Sequence, residues 1–336
     1  MIPNLTILGI ESSCDETSAA VITGLKVRSN IVASQELVHQ KWGGVVPEVA
    51  SRAHVEAIIP VIEEALSAAG VSIQDLDGIC VTNRPGLAGA LSVGVAAAKA
   101  LSYGSGKPLL GVHHLEGHLL SPLANLDALP EFPMLSLVVS GGHTELVRLE
   151  GIGRYQILAE TVDDAAGEAF DKGARLLGLG YPGGKAIQDA AIGGDPKKYQ
   201  LPVGLRHEDD KFSFSGLKTA VLRLTESEQN LDIPSAAASL QRAIVKALLM
   251  KVEHSLDYQD YPSFSLVGGV AANLALRESM ALLCASRGIQ FLVPEMSHCT
   301  DNAAMIGIAG LFRIANGETS AFDLRVFPNS AIPGLT

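Results

Sequence analysis

His114 and His118 stand four residues apart in the segment HHLEGHLL. Side chains four apart on a helix share a face, with Cβ atoms about 5–6 Å apart, so two imidazoles there can share one metal ion. The same spacing suits two histidines that serve only the surface or the core. Glu116 falls off the pair's face and Leu115 follows His114 directly, so the H-E-x-x-H arrangement of a zinc protease is absent. A third ligand is on offer in SHCTDNAAMIGIAG, where Thr300 reads as a helix N-cap and Asp301 as a first-turn carboxylate. Such a carboxylate can also serve the helix dipole alone. Two histidines and one aspartate with open positions suit zinc or iron, and such an ion acts as a Lewis acid on a carbonyl.

Four glycine turns could receive an anion. VVSGG ends a strand and opens a tight hairpin, where successive backbone N–H groups can form a nest. LVGGVAANLALRESM runs from strand through a glycine pair into a helix, whose N-terminus can face a phosphate, with Asn273 placed to hold a ribose or base. YPGGKAIQDA and TNRPGLAGAL are the other two. Each also reads as an ordinary turn. None matches a P-loop or a dinucleotide fingerprint. Two acidic places complete the set. Asp15 and Glu16 occupy the turn of the first hairpin, where a carboxylate can accept a proton or simply make the turn. Asp171 lies in the helical segment GEAFDKGARLLGLG, either on an exposed charged face or hydrogen-bonded to a ligand hydroxyl.

The elements that must position these residues alternate between strand and helix. TILGIESS reads as a strand. A helix is expected from Pro47 to about Leu66, with proline at its first position and Gly70 beyond its end. GICVTN is a buried strand, LAGALSVGVAAAKAL a small-residue helix, and PLLGVHH a strand feeding the histidine helix. The alternation argues for an α/β architecture. The unit TILGIESSCDETSAAVI, strand–turn–strand, recurs as MLSLVVSGGHTELVRL, and each copy is followed by helices and a further strand. Duplication into two lobes with a central cleft fits this pattern, though any two hairpins share it.

The chain's 336 residues suit two domains at ~100–200 residues each. An N-terminal lobe is expected over 1–122 and a C-terminal lobe over 123–307. The final helix is read at 301–316, with residues 308–325 packing back on the first lobe. The start, MIPNLTILGIESSCDE, lacks a basic n-region, and no apolar run approaches the ~18 residues of a membrane span. Cys14, Cys80, Cys284 and Cys299 form no C-x-x-C pair, so reduced thiols in a cytoplasm fit. A net charge of −11 is unlike the basic footprint of a protein that binds nucleic acid unaided.

Taken together, ILGIESSCDETSAAV, HQKWGGVVPEVASRAH, GVHHLEGHLLSP, LVVSGGHTEL, DDAAGEAFDKGARLLGLGYPGG, FSFSGLKTA, VGGVAANLALRE and CTDNAAMIGIAG resemble, in order, the motifs of the TsaD family. The resemblance runs from about Thr6 to Gly310. It implies the duplicated actin/Hsp70/sugar-kinase (ribonuclease H-like) fold. It implies transfer of threonylcarbamate from threonylcarbamoyl-AMP to the 6-amino group of adenosine 37, in the anticodon loop of tRNAs reading ANN codons. By the same resemblance, His114, His118 and Asp301 hold one divalent metal, iron or zinc. Val138, Val139, Ser140, Gly141, Gly142, Asp171, Gly184 and Asn273 bind the adenylate, and Asp15 and Glu16 act near the reacting centre. A TsaB-like paralogue and a TsaE-like ATPase are the implied partners, and a composite surface would reconcile tRNA binding with the acidic charge. The chain departs from the family pattern at Arg84, Lys185 and Gln188, the first two adding positive charge that could favour a phosphate. A metalloprotease and a small-molecule kinase of the same fold class are the competing readings.

Overall fold

The computed structural model describes residues 2–205, 208 and 210–332. The polypeptide forms two compact units and passes between them at 130/131 and again at 293/294.

In the first unit, strands β1 (Thr6–Glu11), β2 (Glu16–Thr23) and β3 (Lys26–Ser34) make an antiparallel meander. A short helix α1 (Glu36–His39) precedes the long α2 (Pro47–Ala69). Pro47 opens α2, as expected of a residue with no N–H to lose, and Gly70 ends it in the left-handed conformation at φ 68°. Then come β4 (Gly78–Arg84), α3 (Ala88–Ser105), β5 (Leu109–His113) and the seven-residue α4 (His114–Leu120). The sheet order is β3-β2-β1-β4-β5, with β4 and β5 parallel to β1.

The second unit repeats that plan. Strands β6 (Met134–Val139), β7 (Thr144–Gly151) and β8 (Arg154–Thr161) form the meander. Helices α5 (Ala166–Leu176) and α6 (Gly183–Ala190), the two-residue β9 (Lys211–Phe212), α7 (Ser215–Ser227) and α8 (Ile233–Tyr258) follow. Then come β10 (Ser263–Val267), α9 (Leu274–Arg287) and β11 (Gln290–Leu292). The order β11-β10-β6-β7-β8-β9 is the first sheet's order with β9 added at one edge. Each unit has its own apolar core, one around Leu8, Ile10, Val81 and Ile62, the other around Leu135, Leu137, Phe170, Ile244 and Phe264.

The last helix, α10 (Ala303–Ala315), belongs to the first unit. Its sequence is apolar on nearly every face, which is the pattern of a buried helix. It crosses β1 at Gly9, where an added Cβ would lie 2.2 Å from the Ala303 carbonyl oxygen, so only glycine permits the approach. Beyond α10 the chain runs along the edge strand β5. Ser320 donates its N–H to the Leu109 carbonyl (2.6 Å) and accepts the Gly111 N–H on its hydroxyl (3.0 Å). This strap covers a row of edge hydrogen-bonding groups that would otherwise face water. Among the described residues, no helix is long and apolar enough to cross a membrane.

Candidate metal and substrate sites

Strand β5 runs directly into α4, which fixes the direction in which the histidine pair points. His114 and His118 lie one above the other on α4, with ring centroids 4.6 Å apart and rings nearly perpendicular. Asp301 reaches them from the other end of the sequence. Its Oδ1 lies 3.0 Å from His118 Nε2 and 3.5 Å from His114 Nε2. The helix cap next to it is Asn302 and not Thr300: Asn302 Oδ1 accepts the Met305 N–H, and its amide donates to the Thr300 carbonyl. Asp301 therefore precedes α10 instead of lying in its first turn, and its carboxylate faces the imidazoles rather than the helix dipole.

Behind His114 stands a residue that motif reading passed over. Glu11, at the end of β1, is fully buried. One of its oxygens accepts the Ser13 N–H (2.5 Å), and the other accepts the Thr82 hydroxyl (2.5 Å) and faces His114 Nδ1 (3.1 Å). A carboxylate on Nδ1 keeps the proton there and leaves the Nε2 lone pair for a cation, an arrangement common to metal-bound histidines. The available signal was a glutamate closing an otherwise apolar strand, since buried charges are paired or ligating.

The donor set fits a divalent metal. Two Nε2 atoms and one carboxylate oxygen all lie within 4.8 Å of one another. A tetrahedral ion with ligands at ~2.0–2.1 Å holds them about 3.3 Å apart, close to the 3.0 and 3.5 Å found. Without a cation the site is a tense acid–base cluster. Burial disfavours the His114 imidazolium, but the Asp301 and Glu11 carboxylates overcome this and lift the ring to about 9. Burial would raise Glu11, yet the charge and hydrogen bond of His114 bring it below the usual carboxylate value.

Asp15 and Glu16 lie in and just after the β1–β2 turn of the same unit. Burial, then the carboxylates of Asp301 and Asp15, push Glu16 up to about 10. Burial and the same acidic neighbours raise the Cys14 thiol. His54, buried on α2, holds this turn from behind, with Nδ1 on the Thr17 hydroxyl (2.7 Å) and Nε2 on the Cys14 carbonyl (2.9 Å). Glu116 turns the other way, toward Arg313 (3.6 Å). The buried Arg84 Nε has no hydrogen-bond partner among the described residues.

The remaining candidates lie in the second unit, linked by close contacts around α5. Val138 and Val139 are fully buried in β6, so their side chains shape the turn from beneath. Ser140 closes that turn on His143 through N–H to carbonyl (2.8 Å), leaving Gly141 and Gly142 exposed with open space around them. Gly167, on α5, abuts the Ser140 carbonyl, where a Cβ would approach to 2.5 Å. One turn further, Asp171 Oδ1 accepts the Gly183 N–H (2.7 Å), which ties the Gly183-Gly184 loop to α5. Gln188 Oε1 then accepts the Leu274 N–H (2.7 Å), and Asn273 caps α9 through the Leu276 N–H (3.1 Å) while its amide donates to Gln241 (2.8 Å).

These bonds distinguish the four glycine turns from one another. Leu274 and Leu276 at the start of α9 already give their N–H groups to side chains. At the fourth turn, Gly86 donates to Pro328 (3.1 Å) and Leu87 to Ser13 (2.8 Å). The Gly183 N–H is held by Asp171. In the Ser140–Gly142 turn both glycines are exposed, whereas Gly184 and Gly269 are half-buried. Lys185 is ion-paired with Asp189 (2.5 Å), so its extra charge is already compensated.

Comparison with known proteins finds relatives along nearly the whole chain. A family model described as TsaD, tRNA N6-adenosine threonylcarbamoyltransferase, matches residues 26–308. A Geobacter sp. (strain M21) protein named tRNA N6-adenosine threonylcarbamoyltransferase is 50% identical over 329 residues, covering 96% of each chain. A protein of the same name from Desulfitobacterium hafniense (strain Y51) is 49% identical over 338 residues, covering 99% of this chain and 97% of that one. Among solved structures, full-length HypF in its phosphate- and nucleotide-bound form aligns with a TM-score of 0.61 at 12% identity, over 94% of this chain and 47% of that one. Component A of the Acidaminococcus fermentans (R)-2-hydroxyglutaryl-CoA dehydratase aligns at 0.56 and 12%, over 93% and 99%. These two likenesses concern the fold, the duplicated actin-like α/β architecture expected from the sequence. The chain belongs to the TsaD family, the tRNA N6-adenosine threonylcarbamoyltransferases.

Proposed function

We propose that this chain transfers the threonylcarbamoyl group from threonylcarbamoyl-AMP to the 6-amino group of adenosine 37 in tRNAs that read ANN codons. The names of its relatives support the reaction. The observation that carries the reading is the meeting of His114, His118 and Asp301, with Glu11 orienting His114.

In this reading the three residues hold one divalent ion, iron or zinc, which when bound polarises the carbamoyl oxygen. Glu11 keeps His114 in the tautomer that presents Nε2. The 6-amino group forms a bond to the carbamoyl carbon, the mixed anhydride C–O bond breaks, and AMP departs with the electron pair. Asp15 is the acceptor for the amine's proton, and Glu16 beside it, which burial and its acidic neighbours keep protonated, serves near the reacting centre as a hydrogen-bond donor. The exposed Gly141 and Gly142, in the turn that Ser140 closes and Val138 and Val139 support, offer N–H groups to the adenylate phosphate. Asp171, Gly184 and Asn273 hold the nucleoside part. An aromatic amine is a poor nucleophile, so positioning supplies much of the rate.

The tRNA presents its anticodon loop, where the base is already unpaired. The net charge of −11 favours a shared tRNA surface built with a TsaB-like paralogue, with a TsaE-like ATPase as third member. A cytoplasmic setting suits Cys14, Cys80 and Cys284 as reduced thiols. The protease reading lacks its base, because Glu116 is engaged with Arg313. The small-molecule kinase reading leaves the histidine pair without a task.

The test is transfer of labelled threonylcarbamate from its adenylate to an ANN-decoding tRNA, with the partner proteins present. Wild type transfers the label and His118→Ala does not. Equal transfer by both proteins removes the metal from the mechanism.

A further inference from the structure

Two of the three proposed metal ligands, His114 and His118, ride on α4, a helix of only seven residues. A helix this short has little stability of its own, so its first turn must be held from outside. Its N-cap is His113, a residue type outside the usual Ser, Thr, Asp and Asn. His113 is fully buried, and its Nδ1 accepts the Leu115 N–H (3.2 Å). A nitrogen that accepts carries no proton, so the ring is neutral and its hydrogen lies on Nε2. That hydrogen needs an acceptor in a dry interior. The Ser330 carbonyl provides it at 3.2 Å, from 217 residues further along the chain.

Ser330 is held in place by the C-terminal strap. Phe327 donates its N–H to the Asn83 carbonyl (2.9 Å), and the Asn83 amide donates to the Arg325 carbonyl (2.9 Å). The Pro328 carbonyl accepts the Gly86 N–H (3.1 Å), and Ile332 beyond Ser330 is buried.

We propose that His113 is a positioning residue for the metal centre, and that the C-terminal strap acts on that centre through the Ser330 carbonyl. The strap selects the His113 tautomer, the tautomer caps α4, and the cap sets where His114 and His118 point. The inference rests on the metal-ligand reading of His114, His118 and Asp301.

Cobalt(II) titration against a competing chelator tests it, using the full-length protein, His118→Ala, His113→Ala, His113→Asn and a chain ending at Asn329. Removing a partner of this kind lowers metal affinity ~10–100-fold. His113→Ala and the shortened chain should each show such a loss, and the two changes combined should cost no more than the larger alone. His113→Asn, which keeps a capping acceptor but loses the strap's partner, should recover part of the loss and be insensitive to the shortening. Affinities within twofold of wild type for both His113→Ala and the shortened chain overturn the proposal, as do fully additive losses. If His113→Ala does not fold, the shortened chain decides alone. Failure of the wild-type protein itself to bind cobalt, or undiminished binding by His118→Ala, strikes the metal reading instead.

Discussion

Replacing Glu11 by glutamine changes one atom's charge and hydrogen-bonding sense at the base of the metal site. The native carboxylate meets three groups without solvent: the Ser13 N–H on one oxygen, and the Thr82 hydroxyl and His114 Nδ1 on the other. Glutamine has one oxygen for these two sides. If its NH2 faces Ser13, two donors oppose each other in a buried place. If it faces His114, it demands that Nδ1 accept, which moves the ring proton to Nε2 and removes the lone pair a cation needs. The first outcome leaves an unsatisfied buried donor, worth ~1–3 kcal/mol of stability. The second strikes the ligand, and losses of this kind run ~10–100-fold in metal affinity, or about 1.4–2.7 kcal/mol. Urea unfolding of the metal-free protein and zinc competition titration measure the two separately. A Glu11→Gln protein with wild-type stability and zinc affinity within twofold of wild type would refute the assignment of Glu11 as the group that orients His114.

Four further outcomes are expected. In the metal-free protein, His114 is raised to about 9 and Glu16 to about 10, so each binds its proton more tightly folded than unfolded. Stability from His114 is complete below its ordinary 6.5 and is lost as pH rises through 9, and Glu16 acts in the same sense, so the thermal midpoint should fall between pH 6.5 and 9; a midpoint that rises across this window contradicts the assignment. Gly9→Ala forces α10 away from β1 and should cost ~1–3 kcal/mol or more by urea unfolding, with weaker metal binding because Asp301 leads into that helix. Gly183→Ala drives a Cβ to within 2.4 Å of the Asp171 Cα, and should raise the KM for threonylcarbamoyl-AMP while leaving cobalt affinity unchanged. The isolated chain, at −11, should show weak or undetectable tRNA binding at physiological salt in a gel shift, and tight binding by the lone chain would remove the need for a composite surface.

The local features of this protein are written in local sequence. Pro47 and Gly70 bracket α2 because each suits its backbone position and no other part of the molecule is needed to say so. The four-residue spacing of His114 and His118 puts them on one face of any helix that forms there. The two hairpin motifs announce the repeated sheet order because strand alternation and turn glycines are short-range properties. What lies between distant segments was not legible in the same way. That Asp301 meets the histidines depends on α10 lying across β1 at Gly9, and a packing contact leaves no periodic trace in the chain. Asn302 rather than Thr300 caps that helix because the chain must bend there to bring Asp301 to the imidazoles. The anion turns looked alike as sequence. Tertiary hydrogen bonds from Asp171, Gln188, Ser13 and Pro328 then engaged N–H groups at three of them, while Gly141 and Gly142 stay exposed. Glu11 and His113 lie inside family motifs, but nothing in the local sequence gives either its task. Their partners, at Thr82, His114 and Ser330, are supplied only when the folded chain brings remote polar groups into a dry interior, where each must be satisfied by another.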